Sequence, residues 1–467
     1  MHRTRSMWYT FFMDHSADLV LRNLDVLVTP RGTLTNQDLW ISRGSITAIL
    51  PQGSSPPTPP PAGSRPPRSL DCRGKGAIPG FKNGHTHAAM TLLRGYGDDM
   101  PLQTWLQERI WPAEAHMTPE DIYWGTRLAA LEMIKSGTTF ANDMYFHPAQ
   151  AARAFHDAGL RAGLGLALFD FDDPRRQEQV RERLLQNLET IWPGRKETPP
   201  AEPELVFPVI APHSVYTCSN ELLQWCARQA TEHQLLYHIH MNETRREVED
   251  CLSLRGARPL IHLQNLGVLE AMEHRVVAAH MVWLDSSELE SATRWGVTAV
   301  HNPASNMKLA SGCFPWQDYA RRGTPLMLAT DGTASNNNLD MFDEMKLAAL
   351  LQKHHFQDAT RLPAGEILAI ATGARSNVFE PWGVGGALTE GAPADIALID
   401  LDHPRMVPLH NLESNLVYSA SGSVVDTVIC NGRVLMEDRQ VPGEAEVLRE
   451  ARRCSQSLGD RILRQVS

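Results

Sequence analysis

The stretch GFKNGHTHAAM, residues 80–90, places His85 and His87 two positions apart at the end of a short apolar run, GAIPGF (76–81). Residues i and i+2 of an extended chain project from the same face. If the run is a strand, both imidazoles point at one place, a spacing that suits a metal. A lone H-x-H is weak evidence, because one histidine can be a satisfied core residue and the other a loop residue. Its weight depends on further ligands elsewhere in the chain.

Composition limits what such a site could serve. The chain has 467 residues, is 42% hydrophobic and 21% charged, and carries a formal charge of -10. These values describe an ordinary globular protein with a large core. The acidic balance argues against a nucleic-acid partner, which needs a basic surface, and favours a small-molecule substrate. Seven cysteines, Cys72, Cys218, Cys226, Cys251, Cys313, Cys430 and Cys454, are scattered without a C-x-x-C pair, as expected of reduced thiols in a cytoplasmic protein. No apolar run approaches the roughly 20 residues of a membrane span, so a soluble protein without a membrane partner is expected.

Residues 1–16 (MHRTRSMWYTFFMDHS) read as an N-terminal arm, since the apolar stretch is too short for a secretory h-region. Residues 17–78 contain short Val/Leu/Ile runs broken by PRG and SRG, which suit small antiparallel strands, and a Pro/Gly/Ser-rich loop at 51–67. Residues 381–440 return to the same texture. The two ends together predict a small β-sandwich, followed by a C-terminal helix over 441–467.

Between them, residues 79–380 alternate apolar runs of strand length with helical stretches, the pattern of a parallel sheet with crossover helices. Eight candidate strands can be counted: GAIPGF, GTTFANDM, LRAGLGLALF, ELVFPVIAPHS, LLYHIHMNE, RVVAAHMVW, GVTAVHNP and TPLMLATDG. Eight such units predict an α/β fold of the (β/α)8 TIM-barrel type. The C-terminal ends of these strands carry His85 and His87, Asn142 and Asp143, His213, His240 and Glu243, His280, His301, and Asp331. In a barrel all of these face one rim, where barrel active sites are built. Any single one could be a helix cap or a satisfied histidine. Their joint placement makes the H-x-H part of a site.

H-T-H after strand 1, a histidine at each of strands 5 and 6, and T-D-G after strand 8 resemble the amidohydrolase superfamily over nearly the whole chain. NGHTHAAMTLLRG, WPAE, DMYF, APHSVYTCS, HIHMNE, HNPASNMKLASG and ATDGTASNNNLDMFDEMKLAALLQK resemble, more narrowly, the 5-methylthioadenosine/S-adenosylhomocysteine deaminase group. The resemblance implies that His85, His87, His240 and Asp331 bind one divalent metal. Zn²⁺ is the first expectation, and Fe²⁺, Mn²⁺ or Ni²⁺ tolerate the same ligands. Binuclear relatives bridge two metals through a carboxylated lysine on strand 4, where this chain reads VFPVIAPHS without a lysine, so a single metal is expected.

The resemblance further implies hydrolytic deamination of an adenine nucleoside by a metal-bound hydroxide, available at neutral pH because a catalytic zinc brings the pKa of water from about 15.7 to about 7. In this scheme Glu243 protonates the ring nitrogen, His280 and Asp331 orient the water and take its proton, and either His280 or Asp331 delivers a proton to ammonia. Glu114 would accept two ribose hydroxyls, His213 would contact substrate, and Trp105 would wall the ribose or thioether. A homo-oligomer is also implied.

One departure bears on substrate. Members that bind the homocysteine carboxylate carry an arginine inside strand 3 and another just after it. Here the strand interior is Gly165, Leu166 and Ala167, and only Arg175, Arg176 or Arg181 could serve from the loop. This shifts the expectation from S-adenosylhomocysteine toward 5-methylthioadenosine or adenosine. Competing expectations are a guanine-type or 8-oxopurine base deaminase, a triazine chlorohydrolase, and a metal-binding protein without turnover.

Overall fold

The computed structural model describes residues 19–55, 66–192 and 204–466. The N-terminal arm at 1–16 and residues 56–65 of the Pro-rich loop lie outside the described residues.

Eight parallel strands form the central sheet in strict chain order. They are β1 (Phe81–Thr86), β2 (Thr138–Tyr145), β3 (Arg161–Leu168), β4 (Val206–Pro212), β5 (Tyr237–Met241), β6 (Val276–His280), β7 (Thr298–His301) and β8 (Leu326–Leu328). The chain just after β8 returns to β1: Asp331 N donates to His85 O at 3.1 Å, and Thr86 Oγ1 donates to Asp331 O at 3.0 Å. The sheet is thus a nearly closed barrel, with helices such as Asn220–Glu232 and Met341–Phe356 between strands. Burial on both faces explains the Val/Leu/Ala-rich runs.

The first strand differs from the sequence reading. GAIPGF divides at Gly80: Lys75–Pro79 belongs to the other sheet, and the barrel strand is FKNGHT. Hydropathy misses this strand because Lys82 and Asn83 are fully buried in it, each with a polar partner. Lys82 Nζ reaches Thr139 Oγ1 at 2.7 Å and Asp395 Oδ2 at 3.2 Å, while Asn83 Nδ2 donates to Thr330 Oγ1 at 2.7 Å.

Both chain ends build a second sheet of eight strands. Leu19–Thr29, Gly32–Ser42 and Ser45–Pro51 form an antiparallel meander, and Ile396–Asp400 pairs antiparallel with Lys75–Pro79, which joins the two ends. The C-terminal helix spans Glu444–Val466. It packs on the helix Pro119–Lys135, and its Arg461 donates to His116 O at 3.0 Å and pairs with Asp121. No helix among the described residues is long and apolar enough to cross a membrane.

Candidate metal centre and substrate cleft

The imidazoles of His85, His87 and His240 converge at the C-terminal end of the barrel, and His280 and Asp331 close the group from β6 and the turn after β8. His85 Nε2 and His87 Nε2 each lie 3.3 Å from Asp331 Oδ1. His240 Nε2 lies 3.3 Å from His87 Nε2. The same-face spacing of β1 recurs in β5, where His238 sits one layer beneath His240, with its Nε2 2.9 Å from His85 Nδ1.

Hydrogen bonds on the far sides of the rings determine what the near sides offer. His87 Nδ1 faces Met144 O at 2.6 Å and His240 Nδ1 faces His213 O at 2.8 Å. A carbonyl only accepts, so each Nδ1 carries a proton, and in the neutral tautomer that this selects, each Nε2 presents a bare lone pair. Two lone pairs 3.3 Å apart repel, and a cation between them removes that repulsion. His85 Nε2 and Asp331 Oδ1 are also buried without a hydrogen-bond partner. Burial pushes the His85 imidazole down to about 4 and holds His240 well below its ordinary value, so both rings are neutral. Burial alone would raise the Asp331 carboxyl, yet the imidazoles of His85 and His87 hold it well below the usual carboxylate range. Three imidazoles and one carboxylate form a donor set that fits a divalent metal.

The converging side chains are braced. Asp331 Oδ2 accepts from Ser305 Oγ at 2.6 Å and Ser335 Oγ at 2.8 Å, which leaves Oδ1 for the centre. Asp331 and His280 hold left-handed backbone conformations, φ 60° and 73°, rare for non-glycine residues and characteristic of constrained sites. Gly332 lets the turn pass close to His87: a Cβ there would stand 2.5 Å from Met90 Sδ and 3.1 Å from His87 Cβ.

Glu243 follows β5 and is buried, with Oε2 3.8 Å from His280 Nε2 and Oε1 3.1 Å from Ser311 Oγ, which donates to it. Burial raises its carboxyl. The backbone leading to it is held by Glu247, whose two oxygens accept from Asn242 N at 2.9 Å and Glu243 N at 2.7 Å. His280 Nδ1 donates to Asn306 Oδ1 at 2.9 Å, directing Nε2 into the site. Burial opposes protonation of His280, but the facing carboxylates of Glu243 and Asp331 outweigh it and raise its pKa.

Above the centre opens a cleft of about 610 Å³ of atom-free space, part of it open to solvent. Glu114, Trp105 and His213 all line it, beside Glu243, His280 and Asp331. Glu114 hydrogen-bonds the Tyr145 hydroxyl, and burial pushes its carboxyl up to about 8. Trp105 is anchored by its indole N–H donating to Gly97 O at 3.0 Å. Burial, with the neighbouring imidazoles, lowers His213 to about 3. Of the residues singled out at strand ends, His301 instead stacks on Phe314 at 4.4 Å, outside the cleft lining. Asp143 accepts from Ala88 N at 2.7 Å and fixes the turn after His87.

Arg175, Arg176 and Arg181 do not line the cleft. Arg175 pairs with Asp173 at 3.3 Å, Arg176 lies over the Phe171 ring, and Arg181 lies over Trp225. The sequence reading passed over Tyr145, Ser305, Ser311, Ser335 and Glu247. DMYF and HNPASNMKLASG hold the first three, but their use depends on contacts remote in sequence.

Residues 77–435 match the amidohydrolase family. The chain is 48% identical over 387 residues to a 5'-deoxyadenosine deaminase of Methanoregula boonei, covering 82% of this chain and 84% of that protein. It is 41% identical over 441 residues to a 5-methylthioadenosine/S-adenosylhomocysteine deaminase of Pelotomaculum thermopropionicum, covering 94% and 98%. The zinc-bound crystal structure of an adenosine deaminase from Xanthomonas campestris superimposes with a TM-score of 0.82 at 32% identity, covering 95% of this chain and 99% of that one. An atrazine chlorohydrolase from Arthrobacter aurescens shares the fold, with a TM-score of 0.82 at 23% identity over 94% of this chain and 100% of that one.

Proposed function

This chain belongs to the amidohydrolase family, and we propose that it is a metal-dependent aminohydrolase that replaces the 6-amino group of an adenine nucleoside by oxygen and releases ammonia. The observation that carries the reading is one cleft lined by His87, His240 and Asp331, by the pair Glu243 and His280, and by Glu114.

His85, His87, His240 and Asp331 would hold one divalent ion, with zinc the first choice for three imidazoles and a carboxylate. Its contribution when bound is to make a water nucleophilic at neutral pH. Glu243, whose carboxyl burial raises, donates its proton to the purine ring nitrogen next to C6, so that the electron pair displaced by the incoming oxygen has a place to go. His280 Nε2 and Asp331 orient the water and remove its proton. The same proton then passes to the amino group, the C–N bond breaks and ammonia leaves, while the hydroxyl proton of the adduct returns to Glu243, which restores the acid and leaves the 6-oxo product. General acid and base groups of this kind contribute about 10²–10⁴-fold each.

Glu114 accepts the ribose hydroxyls, a task suited to a charged acceptor, and Trp105 and His213 shape the cleft around the sugar. Among the described residues the cleft lining contains no lysine or arginine, which favours a neutral 5' group over the carboxylate of S-adenosylhomocysteine. A homo-oligomer of such subunits in the cytoplasm is the accompanying expectation.

Ammonia release from 5-methylthioadenosine, 5'-deoxyadenosine, adenosine, S-adenosylhomocysteine, guanine and a chlorotriazine tests the reading. It predicts release from the nucleosides with neutral 5' groups, and release from guanine alone would refute it.

A further inference from the structure

We infer that Phe171, which packs against Trp111 and Phe169, two residues of the cleft lining, is a specificity-determining residue that receives an uncharged apolar 5' substituent. This rests on the nucleoside reading above, and four observations support it.

The first is proximity to the sugar site. Trp111 and Glu114 lie three residues apart in the short helix Trp111–Glu114, on one face, and both line the cleft. If Glu114 holds the ribose hydroxyls, the 5' substituent of the same ring leaves past Trp111. The second is the aromatic wall found there. The Phe171 ring stands 5.7 Å from Trp111, edge to face, and 5.2 Å from Phe169, and Phe169 also lines the cleft.

The third is that Phe171 is held in place at a conformational cost. Phe171 and Asp172 are consecutive non-glycine residues with φ 51° and 57°, a backbone region that disfavours L side chains. Phe171 N donates to Thr217 O at 2.9 Å. The buried Asp170 accepts from Asp172 N at 3.2 Å, Ser219 N at 2.8 Å and Ser219 Oγ at 2.5 Å, and Arg255 pairs with Asp172 at 2.8 Å. Thr217 also contacts His213 Nδ1 at 3.0 Å, so one network holds both the cleft histidine and Phe171.

The fourth is that the ring is 39% exposed despite this network. A phenyl group ordered at such a cost and left open to water offers apolar surface to a ligand. Arg176 lies over the ring, with its guanidinium carbon 5.5 Å from the centroid.

The test compares kcat/KM for 5-methylthioadenosine with that for adenosine in the metal-loaded full chain. Phe171→Gly removes the ring at a position whose φ glycine adopts without strain, and Phe171→Asn does the same with a residue that tolerates this conformation. Burying a methylthio group is worth about tenfold, so both variants should lower the 5-methylthioadenosine to adenosine ratio about tenfold, mainly through KM. Phe171→Tyr, which keeps the ring, should restore the ratio. A ratio unchanged within about twofold in Gly and Asn variants that still deaminate adenosine overturns the inference while leaving the deaminase reading intact. Wild-type protein that deaminates no adenine nucleoside overturns both.

Discussion

Glu243 Oε2 and His280 Nε2 face each other across 3.8 Å inside the barrel mouth, and both are buried. A carboxyl raised by burial and an imidazole raised by carboxylates are suited to exchange roles as donor and acceptor of one reaction's protons. Glu243→Gln keeps the shape and removes the transferable proton. Turnover should fall by about 10²–10⁴-fold, with metal content by elemental analysis unchanged. Loss of the metal instead would assign Glu243 to the centre itself.

The lone pairs of His87 and His240, directed at each other by their backbone hydrogen bonds, make metal occupancy a stability term. Chelation should abolish turnover and lower the unfolding temperature, since a ligand that binds only the native state stabilises it. Re-addition of zinc should restore both. Calorimetry with and without chelator reads the effect, and identical traces would contradict the site.

Glu114 gives activity a pH dependence. Its carboxyl is raised to about 8 by burial, so it is mostly protonated below that pH and ionised above it. Ribose hydroxyls bind the ionised form better, so KM for a nucleoside should fall as pH rises through about 8. Glu114→Gln should flatten that dependence, as followed by initial rates between neutral and alkaline pH.

Away from the cleft, Asp395 joins the two sheets. It stands 3.2 Å from Lys82 Nζ and 3.5 Å from Arg161 Nε, and accepts from Asn431 N at 2.7 Å. Although burial acts in the opposite direction, the two cations lower its carboxyl to about 2. Its stabilisation is therefore present above the ordinary carboxylate range and is lost as pH falls toward 2. Asp395→Asn leaves buried cations unpaired and should cost about 3–5 kcal/mol, measured by denaturant unfolding.

How much could be read from the sequence varies with the element. Seven barrel strands coincide with apolar runs because both faces of a parallel sheet are buried. The eighth, FKNGHT, was framed too early, because its buried Lys82 and Asn83 are paid for by partners distant in sequence. His85, His87, His240 and Asp331 were legible because ligand chemistry permits few residue types at strand ends. Ser305 and Ser335, which aim Asp331, and Tyr145, which meets Glu114, were not. Serine and tyrosine are common everywhere, and only the closed barrel brings these to their partners.

The most direct measurement of the central claim is the ultraviolet change from adenine to hypoxanthine when zinc-loaded protein meets 5-methylthioadenosine, with free adenine alongside. The account predicts conversion of the nucleoside and little or none of the free base, which offers Glu114 no ribose. Conversion of neither, in protein shown to hold one metal per chain, would contradict it.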